Sequence, residues 1–311
     1  MNAITTAATA LTERQEIRGD LFTRFIEYLD AAPKTIESYT RALKQLYYYF
    51  SLKGITRPQR EDIIAYKEEL IAQGHKPTTI QNYITAAKVF FTWTAQAGYY
   101  PNIAEHIKGA KLDREHKKDY LTSRQVKEIL GGIEQDSIQG LRDYAILALM
   151  VTGGLRDIEV SRANVEDLRT AGESTVLYIQ GKGRQEKTDY IKISAPVEKA
   201  IRAYLKTRGN TGEAAPLFAS LSNNSKGQRL TTRAISGIVK TRLINAGFNS
   251  ERLTAHSLRH TAVTLSLLAG KDITEVQQFA RHANITTTMI YNHSLDKAKN
   301  SCGEAIARAI F

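Results

Sequence analysis

Residues 108–118 (Lys-Gly-Ala-Lys-Leu-Asp-Arg-Glu-His-Lys-Lys) are polar and charge-rich, carry no apolar period, and constrain the fold more than any other feature of the chain. A segment with no repeating apolar face cannot bury one side as a helix or a strand, so it reads as an interdomain linker. At 311 residues the chain is also too long for one typical core. The expected organisation is a flexible lead over residues 1–17, a first domain over 18–107, the linker over 108–118, and a second domain over 119–311.

The first domain reads as four helices. Phe22, Phe25, Ile26 and Leu29 fall at helical spacing. Pro33 interrupts them, and a second helix opens at Thr35 with Leu43, Leu46, Tyr47 and Phe50 on its apolar face; Gly54 and Pro58 close it. A third runs from Glu61 through Ile64 to Leu70 and stops at Gly74. The fourth follows Pro77, with Thr78 and Thr79 as cap candidates, and carries Ile80, Tyr83, Ile84, Val89 and Phe90 toward Gly98.

The second domain reads as mainly α with a small antiparallel β-sheet. Thr122 or Ser123 can cap a helix through Val126, Ile129 and Leu130. The strongly apolar stretch from Leu141 to about Val151 predicts a buried helix. Residues 175–179 and 188–193 are alternating, β-branched stretches around Gly181-Lys182-Gly183, which predicts two paired strands. Helices resume at Pro196 and, apart from a polar loop at 220–228, continue to an amphipathic tail beyond Leu295.

Charge and cysteine usage narrow the classes further. The 43 Lys and Arg against 32 Asp and Glu leave a net charge of +11, which points to a polyanionic partner because neutralised phosphates release counterions. The single cysteine, Cys302, excludes an intramolecular disulfide and a Cys-based zinc site, and fits a reducing cytoplasm. No apolar run approaches the roughly 18–20 residues that span a bilayer. The N-terminus has neither the basic start nor the continuous apolar stretch of a signal peptide. The expectation is a soluble, cytoplasmic protein with no membrane partner.

The chemistry concentrates in the second domain. Arg156 stands in Gly154-Leu155-Arg156-Asp157-Ile158-Glu159, and Lys182 between Gly181 and Gly183. His256 and Arg259 share one helical face in His256-Ser257-Leu258-Arg259-His260, and His282 lies nine residues before Tyr291. Two arginines, a lysine, two histidines and a tyrosine suit a phosphodiester: guanidinium forks grip non-bridging oxygens, an ammonium gives up a proton, and a phenol attacks phosphorus. Each residue alone has a blander reading. Arg156 would be a surface partner of Glu159, Lys182 a solvated turn residue, and Tyr291 one more half-buried member of 15 tyrosines. His256 and His260 have the i, i+4 spacing of half a metal site, but no Glu follows His256 and no third ligand is apparent, so packing or hydrogen bonding is expected of His260.

The set in this order resembles the tyrosine recombinase (phage integrase) family over about 290 residues. The resemblance implies a four-helix core-binding domain followed by an α+β catalytic domain. It assigns Arg156 and Arg259 to the phosphate clamp, with Glu159 in support, and Lys182 to general acid, with Arg184 and Lys187 as nearby alternatives. His256 becomes an acid–base or phosphate-binding group, His282 a hydrogen-bond donor to the phosphate, and Tyr291 the nucleophile. The chain departs from the family pattern before this histidine: Ala280-Arg281-His282 stands where Leu-Gly-His is usual, with an arginine where glycine is common.

The implied function is site-specific DNA recombination through a 3′-phosphotyrosyl intermediate, serving integration or excision of a mobile element or resolution of DNA dimers. The intermediate conserves the bond energy, so the chemistry requires neither nucleotide cofactor nor metal. The partners implied are double-stranded DNA sites and further copies of the chain, assembled as a tetrameric synapse through the C-terminal tail. With only a short lead before residue 18, the expectation is an Xer-like, core-type system without a separate arm-site DNA-binding domain. Two alternatives share the fold: a type IB topoisomerase-like relaxing enzyme and a non-catalytic DNA-binding protein.

Overall fold

The computed structural model describes residues 16–17, 19–111, 119–181, 184, 186–209, 211–299 and 301–310. The lead over 1–15, linker residues 112–118 and Lys182 lie outside these described residues. The chain divides into two compact units, Met1–Arg114 and Glu115–Phe311.

The first unit holds α1 (Asp20–Tyr28), α2 (Pro33–Leu52), α3 (Arg60–Ala72) and α4 (Pro77–Gln96). Two helix starts differ from the sequence expectation. α2 begins at Pro33 rather than Thr35, and α4 at Pro77 without a cap from Thr78 or Thr79. Proline fits the first helical position, where its missing N–H would have no partner in any case and its φ is already helical. The core is aromatic: Phe25 meets Phe90 at 5.3 Å and Trp93 at 5.5 Å between ring centroids. Tyr100 Oη donates to the Pro58 carbonyl at 2.7 Å and ties the end of the unit to the α2–α3 turn.

The second unit is built around one buried helix. α5 (Ser123–Gly131) is capped by Thr122, whose hydroxyl accepts from the Gln125 N–H. α6 (Ile138–Gly153) starts earlier than the apolar run because Ser137 caps it, accepting from Gly140 N–H. Ala145 through Val151 are all buried, as a helix apolar on every side must be. α7 (Asp157–Arg162) follows, then three antiparallel strands in the order β1-β2-β3: β1 (Leu168–Ala171), β2 (Ser174–Ile179) and β3 (Asp189–Ile193). Leu177 pairs with Ile191, so the inner face is apolar. β1 is an addition to the expected pair; its Leu-Arg-Thr-Ala sequence carries no alternation by which to recognise it.

The remaining helices are α8 (Ala195–Arg208), α9 (Thr232–Asn245), α10 (Ala255–Leu268), α11 (Ile273–Ala280), α12 (Ile285–Lys299) and α13 (Cys302–Ile310). The segment between α8 and α9 is longer than the expected loop and is held by backbone bridges, Asn164 to Pro216 and Ala219 to Arg229. α8 and α10 pack against α6. Buried Asp143 on α6 takes Arg142 on one carboxylate oxygen and Arg242 of α9 on the other, at 2.8 and 2.7 Å. Both oxygens of the aspartate are thus hydrogen-bonded, the condition under which a buried ion cluster is tolerated. No described helix is long and apolar enough to cross a membrane.

Candidate active site

The C-terminal end of α6 sets the position of Arg156. Gly154 sits in the left-handed region (φ 57°, ψ 32°), which a Cβ disfavours, and a Cβ there would also meet the Phe279 ring at 3.1 Å. The chain turns, buries Leu155, and places Arg156 as the N-cap of α7. The Arg156 N–H and Nη1 both donate to Glu159, each at 2.8 Å. Glu159 is fully buried. The plain Arg156–Glu159 pairing therefore exists, but it is one part of a larger cluster.

Arg259 belongs to that cluster. It lies on α10, 1% exposed, and donates from Nη1 to the Gly154 carbonyl at 2.6 Å and from Nη2 to the Ala280 carbonyl. Three residues earlier on the same face His256 is exposed, its ring edge-on to His260 at 4.8 Å. His260 is buried, with its ring centroid 4.8 Å from that of Tyr291.

α11 ends at Arg281, which takes the left-handed conformation (φ 53°, ψ 46°), while the His282 N–H closes the helix end on the Gln277 carbonyl at 3.1 Å. This is the physical reason that glycine suits the position. The arginine holds it with its guanidinium: Nη2 donates to Gly154 O at 3.0 Å and Glu159 Oε2 at 3.1 Å, and Nη1 to Phe279 O at 2.8 Å. In the sequence Arg281 stands out only as a departure from the family pattern, and an arginine at a glycine position is the one local sign that its side chain holds something. His282 is buried with Nδ1 2.9 Å from Thr288 Oγ1, and its ring is stacked 6.1 Å from that of Tyr291.

Tyr291 lies on α12, 5% exposed. Burial pushes its phenol up, while the Arg259 and Arg156 charges pull it down without reversing the shift. The cationic surroundings thus moderate the phenol rather than ionise it. Burial, with Arg156 and Arg281 beside it, brings the Arg259 guanidinium down to about 9, still protonated at neutral pH. Burial and then Arg259, Arg156, Arg281 and His256 pull His282 down to about 4, so its imidazole is neutral at pH 7. Burial alone would raise Glu159, but Arg281, the Arg156 N–H and the Arg156 and Arg259 charges hold it below the usual carboxylate range.

Of the lysine candidates, Lys187 is held by buried Asp167 in an ion pair, and Arg184 is exposed and reaches Thr188 Oγ1 at 3.3 Å. Lys182 lies outside the described residues. Gly181, Asp189 at the start of β3, and α11 border an open cleft of about 700 Å³ that Arg156, Arg281 and His282 also line. Such a cleft, with the Arg156 guanidinium beside a neutral imidazole, can receive a phosphate ester; the Tyr291 phenol is buried behind His282 and does not line it. Among the described residues, no cluster of His, Cys, Asp or Glu is arranged to hold a metal ion.

Known proteins resemble this chain over both of its units. Residues 119–298 match the description "Phage integrase family", and residues 20–99 match "Phage integrase, N-terminal SAM-like domain". A tyrosine recombinase of Synechocystis sp. is 30% identical over 278 residues, covering 84% of this chain and 86% of the relative. Tyrosine recombinase XerC of Chlamydia muridarum is 28% identical over 304 residues, covering 89% and 94%. The fold matches the XerH site-specific recombinase bound to palindromic difH substrate with a TM-score of 0.72 at 21% identity, covering 96% of this chain and 93% of that one. A fragment of lambda integrase, as a dimer bound to a COC′ core site, matches with a TM-score of 0.67 at 16% identity, covering 86% of this chain and 96% of that fragment. The chain belongs to the phage integrase family, as an Xer-like tyrosine recombinase.

Proposed function

We propose that the protein is a site-specific recombinase that cuts and rejoins double-stranded DNA through Tyr291, in the cytoplasm and without a nucleotide cofactor or metal. Residues 18–107 form its core-binding domain, 108–118 the linker and 119–311 its catalytic domain. One observation carries the reading: the Tyr291 ring is buried beside His260 and His282, within reach of the Arg259 and Arg156 charges.

Arg156 and Arg259 grip the non-bridging oxygens of the scissile phosphate, Glu159 supports Arg156, and neutral His282 donates a hydrogen bond. The Tyr291 oxygen attacks phosphorus and gives its proton to a base, for which His256 is the candidate. The bond from phosphorus to the 5′-oxygen breaks, and Lys182 protonates the departing oxygen. A 5′-hydroxyl from a partner duplex then reverses the step and joins the strands in a new combination. The outcome is integration or excision of a mobile element, or resolution of DNA dimers. Exposed Ile306 and Ile310 on α13 support a tail that docks on another protomer in a tetrameric synapse.

The test is covalent trapping on suicide duplexes bearing candidate sites from the flanks of the protein's own gene. Wild type forms a 3′-phosphotyrosyl adduct; Tyr291→Phe forms none and binds the duplex within about twofold of wild type. An adduct with Tyr291→Phe would remove the nucleophile assignment.

A further inference from the structure

We propose that Arg281 is a positioning residue for the phosphate-gripping fork of Arg156, acting through Glu159; the proposal rests on the recombinase reading above. Its backbone takes a conformation that glycine adopts freely, so an arginine there is justified by what its side chain holds. The guanidinium reaches the Gly154 and Phe279 carbonyls and Glu159 Oε2. Arg259 already laces the same two backbone junctions, through Gly154 O and Ala280 O. The contact that Arg281 adds is the one to the carboxylate.

That contact completes a pinned carboxylate. Glu159 Oε1 accepts from Arg156 Nη1, and Oε2 accepts from the Arg156 N–H and from Arg281 Nη2. With both oxygens held, the Arg156 fork is fixed at the wall of the cleft. Without Arg281 one oxygen keeps only the short local bond within the first turn of α7, and the carboxylate and fork can rotate together. Arg281 itself is not a phosphate ligand: its Nη atoms are directed to carbonyls and Glu159, and its Nε is buried.

The experiment uses the full chain with Arg281→Gly, which suits the left-handed backbone, and Arg281→Lys, which keeps the charge but loses the fork. Two readouts are taken. One is the Arg156 Nε–H signal in a ¹⁵N-arginine NMR spectrum without DNA, identified by its loss in Arg156→Lys. The other is the adduct-forming rate at saturating suicide duplex, set against duplex Kd. Arg281→Gly is expected to broaden the Arg156 signal and slow adduct formation by at least about tenfold with Kd within about threefold, and Arg281→Lys to fall between it and wild type. Should Arg281→Gly not fold, Arg281→Lys carries both readouts. An unchanged Arg156 signal, wild-type rates, or a loss confined to Kd would overturn the proposal. If wild type forms no adduct, the recombinase reading fails on its own, and the DNA-free Arg156 signal still decides whether Arg281 positions it.

Discussion

Nδ1 of His282 lies 2.9 Å from Thr288 Oγ1, so a buried hydroxyl one turn before Tyr291 sets the orientation of the imidazole stacked on the tyrosine ring. That bond leaves Nε2 as the nitrogen a phosphate oxygen would meet. It also couples the turn after α11 to α12, and thereby His282 to the helix that carries Tyr291.

Replacing Thr288 with Val keeps the shape and removes the partner. We expect adduct formation to slow by about tenfold with duplex binding unchanged, because the imidazole loses its orienting bond. Thr288→Ser should retain most of the rate. Equal rates for the Val and Ser variants, measured on one suicide duplex, would show that the bond does not orient His282.

His282 also makes a pH-dependent contribution to stability. Its native pKa of about 4 lies below the ordinary 6.5, so between these values the unfolded chain binds a proton that the native site refuses. Stability from this group is present above about pH 6.5 and is lost as pH falls toward 4, by at most about 3 kcal/mol. The Tm difference between wild type and His282→Asn should therefore shrink or reverse from pH 7 to pH 5. Parallel Tm curves for the two proteins would rule the contribution out.

Gly154→Ala puts a Cβ onto a left-handed residue and against Phe279. The expected loss is about 2 kcal/mol, read as a Tm drop of about 5 °C, and it should be accompanied by slower adduct formation because Arg156 follows two residues later. A variant with wild-type Tm and rate would show that the turn tolerates a side chain.

Asp143 tests stability apart from chemistry. Asp143→Ala leaves Arg142 and Arg242 without their shared carboxylate in a buried site. Chemical denaturation should show a loss of about 3–5 kcal/mol. At a temperature where the variant remains folded, its adduct-forming rate should match wild type, since none of these three residues lines the cleft. A rate defect in the folded variant would connect the cluster to the site.

The sequence by itself determined the helical character, the buried α6, the β2–β3 pair and the identities of the reactive side chains, because apolar period and motif spacing are local properties. Helix starts at Pro33 and Pro77 required only proline's fixed φ, which the cap candidates obscured. Strand β1 was not legible, since its four residues alternate nothing and gain order only by pairing with β2. Tertiary structure alone decided that Glu159, Arg156, Arg259 and Arg281 share one charge cluster, as residues 159 and 281 meet only when the ends of α6 and α11 come together. It also decided the sign at Tyr291, where loss of solvent outweighs the neighbouring positive charges. Burial depends on the whole packed unit, and no short stretch of sequence contains it.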